Sequence, residues 1–255
     1  MADQACGAAD PRWGQENRDR KAEAILATIQ MHCGQDLARG VWLDVGCGSG
    51  GVAATLAWHV EQMIGVDPEP WVRWDDFLGE HTNLVFHTGS YNDIEKLLSP
   101  ASVDVVVCNQ VYEHVGDPFA LLKAIHRVLK PSGVCYFAGP NLLWPIEPHV
   151  FWPFVHWLPR QFSIWLMTFF RAKRLRYLDA WSLHYWALKK MFRQSGFVAS
   201  NAIRDRIRAQ AQSTDRRILR AAAQIPKAVI TALTPFTPGF VFVLTKSSAN
   251  GLENR

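Results

Sequence analysis

Apolar positions along the chain switch repeatedly between two periods. Residues 18–33 place Ala22, Ile25, Leu26 and Ile29 on one helical face, with Arg20, Lys21 and Glu23 off it. GVWLDVG (40–46) reads as a short buried strand running into glycines, and GGVAATLAWHV (50–60) as a helix. QMIGVDPEP (62–70) is a second strand stopped at Asp67-Pro68, and NLVFHTGS (83–90) a third. VDVVVCNQV (103–111) is apolar at almost every position, as expected of a strand covered on both faces. FALLKAIHRVLKPSG (119–133) has helical spacing and a Pro/Gly stop, and VCYFAGPN (134–141) is a fifth strand.

Strands alternating with helices at this spacing predict βαβ units, a parallel sheet and right-handed crossovers. The pattern then changes. Residues 141–180 are crowded with aromatic side chains, including Trp144, Trp152, Trp157, Trp165 and Phe169. WSLHYWALKKMFRQSGF (181–197) resumes as an amphipathic helix ending at Gly196. Residues 197–203 offer a sixth strand, 239–246 (GFVFVLTK) the last, and the basic stretch between them a helix near 214–224. Four segments follow: a helical N-terminal piece (1–37), a core (38–140), an aromatic and basic insertion (141–180), and a return to the core (181–255) with a basic insertion at 204–238.

WLDVGCGSGG (42–51) fits two nucleotide loops at once. Gly46, Gly48 and Gly51 satisfy G-x-G-x-x-G, the dinucleotide pattern. Asp44, Gly46, Gly48 and Gly50 satisfy D-x-G-x-G-x-G. Glycines after a first strand let a ligand approach the backbone, and the following helix start offers unpaired N–H groups. A pyrophosphate would exploit those donors, but a carboxylate at Asp44 is poor company for it. Asp44 suits a cofactor carrying an ammonium and a sulfonium. Asp67 falls about twenty residues further on, where an acid binds ribose hydroxyls in either case.

Composition narrows the class. The 255 residues are 49% apolar with a net charge of +4, enough for a sizeable core and too mild to imply nucleic acid. Five cysteines without paired spacing point to a reduced compartment and no structural zinc. The polar N-terminus lacks a signal-peptide pattern, and no run reaches about 18 uninterrupted apolar residues. A cytoplasmic protein is expected, with a peripheral place on the inner face of the membrane left open.

LDVGCGSGG, GVDPEP and VYEHVGDPFALLKAIHRVLKPSGVCYFAGPN together resemble the class I S-adenosylmethionine-dependent methyltransferases. Within that class the chain is similar to the group that includes ubiquinone-biosynthesis O-methyltransferases. The resemblance, over roughly residues 38–141, implies a Rossmann-like, mostly parallel seven-stranded sheet with helices on both faces. Its last strand would be antiparallel, in a hairpin with the sixth. It implies that Asp44, Gly46, Cys47, Gly48 and Gly50 surround the methionine portion of S-adenosylmethionine. Asp67, with Pro68, would take the ribose. Ser90 and Tyr91 would lie by the adenine, at a position where the family more often carries Asp. Asn109, Gln110 and Val111 would border the reacting methyl group.

Methyl transfer from a sulfonium is an in-line displacement that positioning can largely catalyse. A hydroxyl acceptor adds the need for a base or a metal. His114, after the fourth strand, is the best base candidate, against a loop-bracing role. Glu113 is a second, with helix-start or loop bracing the favoured alternative. Related O-methyltransferases carry an E-x-x-E-H cluster able to hold a divalent metal. Here Gln110 replaces its first Glu, leaving Glu113 and His114, so a metal-free site is expected. His149, Glu147 and His184 belong to the region that should cover the site, and a packing role is the simpler reading for each.

Residues 162–170 are apolar nearly all round, which means burial in protein or in lipid. Arg160 precedes this helix, and Arg171, Lys173, Arg174 and Arg176 follow it. Aromatic surface bounded by basic residues fits an anchor on anionic lipid. A lid over an apolar acceptor, or a dimer contact, fits equally. The function expected is O-methylation of a hydrophobic or amphipathic small molecule: a prenylated phenol or quinone precursor, a lipid-linked sugar or an aromatic secondary metabolite. Rival readings are C- or N-methylation by proximity alone, and a membrane-associated binding protein that keeps the fold without catalysis. Nucleic acid is not an expected partner, because the basic groups sit beside a greasy segment.

Overall fold

The computed structural model describes residues 15–34, 39–147, 151–170, 181–213 and 217–247. Helix α1 (Gln15–Cys33) precedes strand β1 (Val41–Val45), helix α2 (Gly51–Ala57) and strand β2 (Gln62–Asp67). Helix α3 (Arg73–Glu80), strand β3 (Leu84–Thr88), helix α4 (Ile94–Leu97) and strand β4 (Val103–Asn109) follow. Helix α5 (Pro118–Val128) then leads directly into strand β5 (Leu129–Pro140). After a two-stranded ribbon, β6 (Ile146–Glu147) and β7 (Trp152–Pro153), come helices α6 (Arg160–Phe169) and α7 (Tyr185–Gln194) and strand β8 (Phe197–Asn201). Helices α8 (Ile203–Ser213), α9 (Arg217–Ala223) and α10 (Lys227–Leu233) separate β8 from the last strand, β9 (Gly239–Lys246).

Seven strands form one sheet in the order β3-β2-β1-β4-β5-β9-β8. β1 to β5 are mutually parallel, and β9 is antiparallel to both of its neighbours. The alternation of β4 explains its continuous apolar run, since side chains of period two must satisfy two cores. Val106 and Cys108 pack with Leu121, Ile125 and Phe192 on the α5/α7 face. Val105 and Val107 pack with Ile25, Val52 and Leu56 on the α1/α2 face. Asp117 starts α5 by accepting from the amides of Phe119 and Ala120, both at 3.0 Å, with Pro118 at the first helical position.

One expectation is corrected and another extended. LKPSG does not end a helix. α5 stops at Val128, and Leu129 already pairs with Val103 in the sheet. Pro131 disfavours helical backbone at Lys130, and the Lys130 ammonium holds Asp104 at 2.7 and 2.8 Å across a register shift. β8 and β9 pair antiparallel as expected, and the helix expected near 214–224 is present at 217–223, but it is flanked by two more, at 203–213 and 227–233. α8 leans on α1, where His32 Nδ1 lies 2.7 Å from the Asp205 carboxylate.

The insertion also departs from expectation. α6 is not buried all round. Ser163 and Met167 face inward, and the Ser163 hydroxyl donates to the Val155 carbonyl at 2.5 Å. Phe162, Trp165 and Phe169 point away from the protein. The serine docks because its hydroxyl finds a carbonyl acceptor, while the three large rings stay exposed among the described residues.

Candidate functional site

In a sheet ordered this way the strand sequence reverses between β1 and β4, and ligands bind beyond the carboxyl ends at that point. The loop after β1 and the loop after β4 meet there. Gly46 has φ +69° and donates to the Val66 carbonyl at 2.7 Å. A Cβ on Gly46 would lie 2.7 Å from Val111 Cγ2, so only glycine lets the two loops close. Gly48, at φ +52°, has nothing within 4 Å of where its Cβ would be. Its backbone therefore lines open space, a surface a ligand can approach.

Asp67 closes the loop from the end of β2. Its carboxylate accepts from the Gly48 amide at 2.7 Å, the Glu69 amide at 3.1 Å and the Trp71 indole at 3.4 Å. The other end of the peptide is held too: the Trp74 indole donates to the Gly48 carbonyl at 2.9 Å, while its ring stacks on Phe86 with centroids 4.8 Å apart. Cys47 is buried, and burial pushes its thiol pKa up. Cys47 thus offers a ligand its backbone rather than its sulfur. Pro68 follows Asp67 on the surface side of the loop.

Asp44 lies almost fully buried beneath this loop. Burial pushes its carboxyl up to about 7, Asp67 adds to the rise, and the charges of Arg18 and Lys21 oppose it. Both cations come from α1. Burial lowers the pKa of each, and Arg18 and Arg206 lower that of Lys21 further. α1 is fastened to α2 and to the start of α3, since Thr55 donates to Asp19 at 2.6 Å and Arg73 to Gln15 Oε1 at 3.0 Å. The sequence pattern places Lys21 off the apolar face of its helix, but nothing local in it says that this polar face meets a loop twenty-five residues later. Arg18, Lys21 and Trp74 are therefore site residues that the sequence reading missed.

On the β3 side, the Ser90 hydroxyl and amide both donate to the Asp93 carboxylate, at 2.9 and 3.0 Å. The Lys96 ammonium, first, and these Ser90 bonds hold Asp93 at about 2. Tyr91 lies half-buried against the core beside them. On the β4 side, Asn109 pairs with Ala138, and the Gln110 amide donates to the Ala138 carbonyl at 2.8 Å. Gln110 has φ +61°, a left-handed conformation that costs a non-glycine residue about 1–2 kcal/mol. Such strain clusters at functional sites.

The residues after Val111 separate in depth. Tyr112 is buried, donates to the Pro140 carbonyl and accepts from the Leu183 amide at 3.2 Å. The Glu113 side chain is buried against Gly139, and its carbonyl accepts from the Trp181 amide at 2.6 Å. His114 is exposed on the outer side of the same loop. Glu113 thus lies on the protein side and His114 on the solvent side. Among the described residues, no group of three or more His, Cys, Asp or Glu side chains could hold a metal ion.

His184 caps α7, with Nδ1 accepting from the Ala187 amide at 3.1 Å, a bracing role. His149 lies outside the described residues, and Glu147 contributes backbone to β6. Trp144 and Trp152 are half-buried, while Trp157, Trp165 and Phe169 are exposed. Asn141 was not anticipated. Its buried amide donates to the Pro235 and Thr237 carbonyls, both at 2.8 Å, and pins the start of the insertion to the segment before β9.

The site fits S-adenosylmethionine. It combines a buried carboxylate flanked by cations, an open glycine backbone and an acid at the end of β2. Comparison with known proteins agrees. A ubiquinone biosynthesis O-methyltransferase of Coxiella burnetii is 30% identical over 179 residues, which cover 62% of this chain and 73% of that protein. One from Idiomarina loihiensis is 37% identical over 111 residues, covering 39% of this chain and 42% of that one. The crystal structure of a Burkholderia thailandensis 1,6-didemethyltoxoflavin-N1-methyltransferase, with S-adenosylhomocysteine bound, shares the fold. Its TM-score is 0.54 at 16% identity, over 93% of this chain and 82% of that one. Residues 15–199 match the methyltransferase domain family. The chain belongs to that family and is an S-adenosylmethionine-dependent methyltransferase.

Proposed function

We propose that the chain methylates an oxygen of a hydrophobic or amphipathic small molecule, of the prenylated phenol or quinone-precursor type. The observation that carries this reading is the placement of His114. It is the exposed imidazole at the carboxyl end of β4, on the loop whose Val111 touches Gly46. Bound at the glycine loop, S-adenosylmethionine supplies an electrophilic methyl group. Asp44, with Arg18 and Lys21 above it, holds the charged end of the cofactor, and Asp67 holds the ribose. Val111 and the strained Gln110 shape the wall beside the acceptor. Trp181, hydrogen-bonded to Glu113, extends that wall as an exposed aromatic surface. His114 would take the proton from the acceptor hydroxyl as its oxygen gains the methyl group and the cofactor, its S–CH₃ bond broken, leaves as S-adenosylhomocysteine. The relatives named as ubiquinone biosynthesis O-methyltransferases support an oxygen acceptor.

The test is transfer of labelled methyl from S-adenosylmethionine to a catechol with a prenyl tail and to the same catechol without one. The expected result is an aryl methyl ether, located by NMR and formed faster on the prenylated substrate. Product methylated only on carbon or nitrogen would replace O-methylation by C- or N-methylation. Tight cofactor binding with no turnover on any acceptor class would favour a binding protein.

A further inference from the structure

We propose that α8 serves the cofactor site through α1: Arg206 and Asp205 are positioning residues that hold α1, and with it Arg18 and Lys21, over Asp44. The helix opens the basic stretch between β8 and β9. The match to the methyltransferase domain family covers residues 15–199, so α8 lies outside it.

α8 is fixed to the sheet at its start. The Ala202 amide donates to the Val241 carbonyl of β9 at 2.9 Å, and Ala202 is buried in the core beneath α1 and α2. The Asn201 side chain caps the helix, accepting from the Ile203 amide at 2.9 Å, while its own amide donates to the Thr234 hydroxyl. On the side away from α1, the Arg208 guanidinium donates to the Ala223 carbonyl of α9 at 3.4 Å. α1 leans on this braced helix at two points. Arg206 Nη1 donates to the Lys21 carbonyl at 3.4 Å. His32 Nδ1 lies 2.7 Å from the Asp205 carboxylate, with both side chains largely buried. Thr55 and Arg73 hold the start of α1, at Asp19 and Gln15. α8 holds its middle and its end.

Charge links this contact to the site. Burial, Arg18 and Arg206, in that order, lower the pKa of Lys21, while Asp44 and Glu113 oppose them. Asp44 faces Arg18 and Lys21 from α1, Asp67 from β2 and the thiol of Cys47. Arg18 also faces Arg73 of α3. Arg18, Lys21 and Arg206 are thus gathered near Asp44 against their mutual repulsion. The two contacts from α8 resist that repulsion. Released from them, α1 would carry its cations away from Asp44, and the carboxyl would take up a proton more readily. The ammonium of the cofactor would then meet a neutral acid over a wider pH range.

The experiment is titration calorimetry of the full chain with S-adenosylhomocysteine from about pH 5.5 to about 8.5, with thermal melting of each variant. Arg206→Gln and Asp205→Ala should weaken binding about twofold to tenfold near neutral pH, the range for one hydrogen bond. Both should also move the acid limb of the affinity profile to higher pH. Arg206→Lys keeps a charged donor and Asp205→Asn keeps an acceptor, so each should recover most of the affinity and the position of the limb. Arg208→Gln removes the same charge from the same helix but on the α9 side, and should leave both unchanged. Wild-type affinity and profile in Arg206→Gln and Asp205→Ala would overturn the proposal. Weaker binding with an unmoved acid limb would do so too, since that marks a purely structural role. An equal effect from Arg208→Gln, or losses in Arg206→Lys and Asp205→Asn as large as in the truncated variants, would count equally against it. No methyl acceptor enters the measurement, so its outcome is independent of the O-methylation reading.

Discussion

The Asp67 carboxylate accepts the Gly48 amide hydrogen at 2.7 Å, tying the end of β2 to the peptide that the cofactor must approach. One acid therefore shapes the loop, and at the end of β2 it is the residue expected to meet the ribose. Asp67→Ala should weaken S-adenosylhomocysteine binding by roughly tenfold to a hundredfold, the range for a hydrogen bond to a charged group. Asp67→Asn should lose less, because it can still accept from Gly48. Titration calorimetry measures both, and equal affinities for wild type and Asp67→Ala would remove Asp67 from the site.

Asp44 makes cofactor affinity depend on pH. Its folded-state pKa is raised to about 7 from the ordinary 3.8, so the protein without ligand holds it increasingly protonated as pH falls below 7. The stability this neutral form contributes is fully present below pH ~4 and is lost as pH rises through ~7. An ammonium ligand needs the ionised form. Affinity for S-adenosylhomocysteine should therefore rise from pH 5.5 towards ~7.5, by up to about tenfold per unit at the acid end, and then level off. Asp44→Asn should flatten the profile at low affinity, and an unchanged slope in that variant would assign the titration elsewhere.

Gly46→Ala should destabilise the protein by about 1–3 kcal/mol through its left-handed backbone alone, with further loss from the 2.7 Å approach to Val111. Adding Val111→Ala should restore the packing part and leave the backbone part. Denaturant titration of the single and double variants separates the two. Full recovery in the double variant would mean that the φ of Gly46 carries no cost.

Tyr112→Phe deletes the hydroxyl that joins the Pro140 carbonyl to the Leu183 amide. A half-buried donor and a buried acceptor lose their partner, which costs about 1–3 kcal/mol. A fall in thermal midpoint is expected, with cofactor affinity retained. A midpoint equal to wild type would show that water replaces the hydroxyl.

His114→Ala should lower kcat for a hydroxyl acceptor by about 10²–10⁴-fold, the usual worth of a general base. S-adenosylhomocysteine binding should stay intact. An unaltered kcat would mean that the acceptor arrives ionised or needs only proximity.

Much of this architecture is written in local patterns. The apolar run of 103–111 marks a strand covered twice, and Asp44 with its glycines marks a sulfonium site rather than a pyrophosphate site. Other features have no local trace. Arg18 and Lys21 join the site because α1 folds back over α2, a tertiary event invisible to helical periodicity. The aromatic stripe of 160–170 is evident in the sequence, but which flank docks is decided by Ser163 finding the Val155 carbonyl. LKPSG carries the usual helix-stop residues, yet the ion pair of Lys130 with Asp104 draws the segment into the sheet.

The position of β9 has a consequence for synthesis on the ribosome. The last strand of the sheet is not at its edge: it fills the slot between β5 and β8. Until residues 239–246 emerge, β5 exposes an unpaired apolar edge of the kind that recruits other chains, and β8 has no partner in the sheet. The two cores can therefore close only after residues 239–246 have been made. Such late, long-range pairing makes for slow folding and leaves the intermediate open to aggregation.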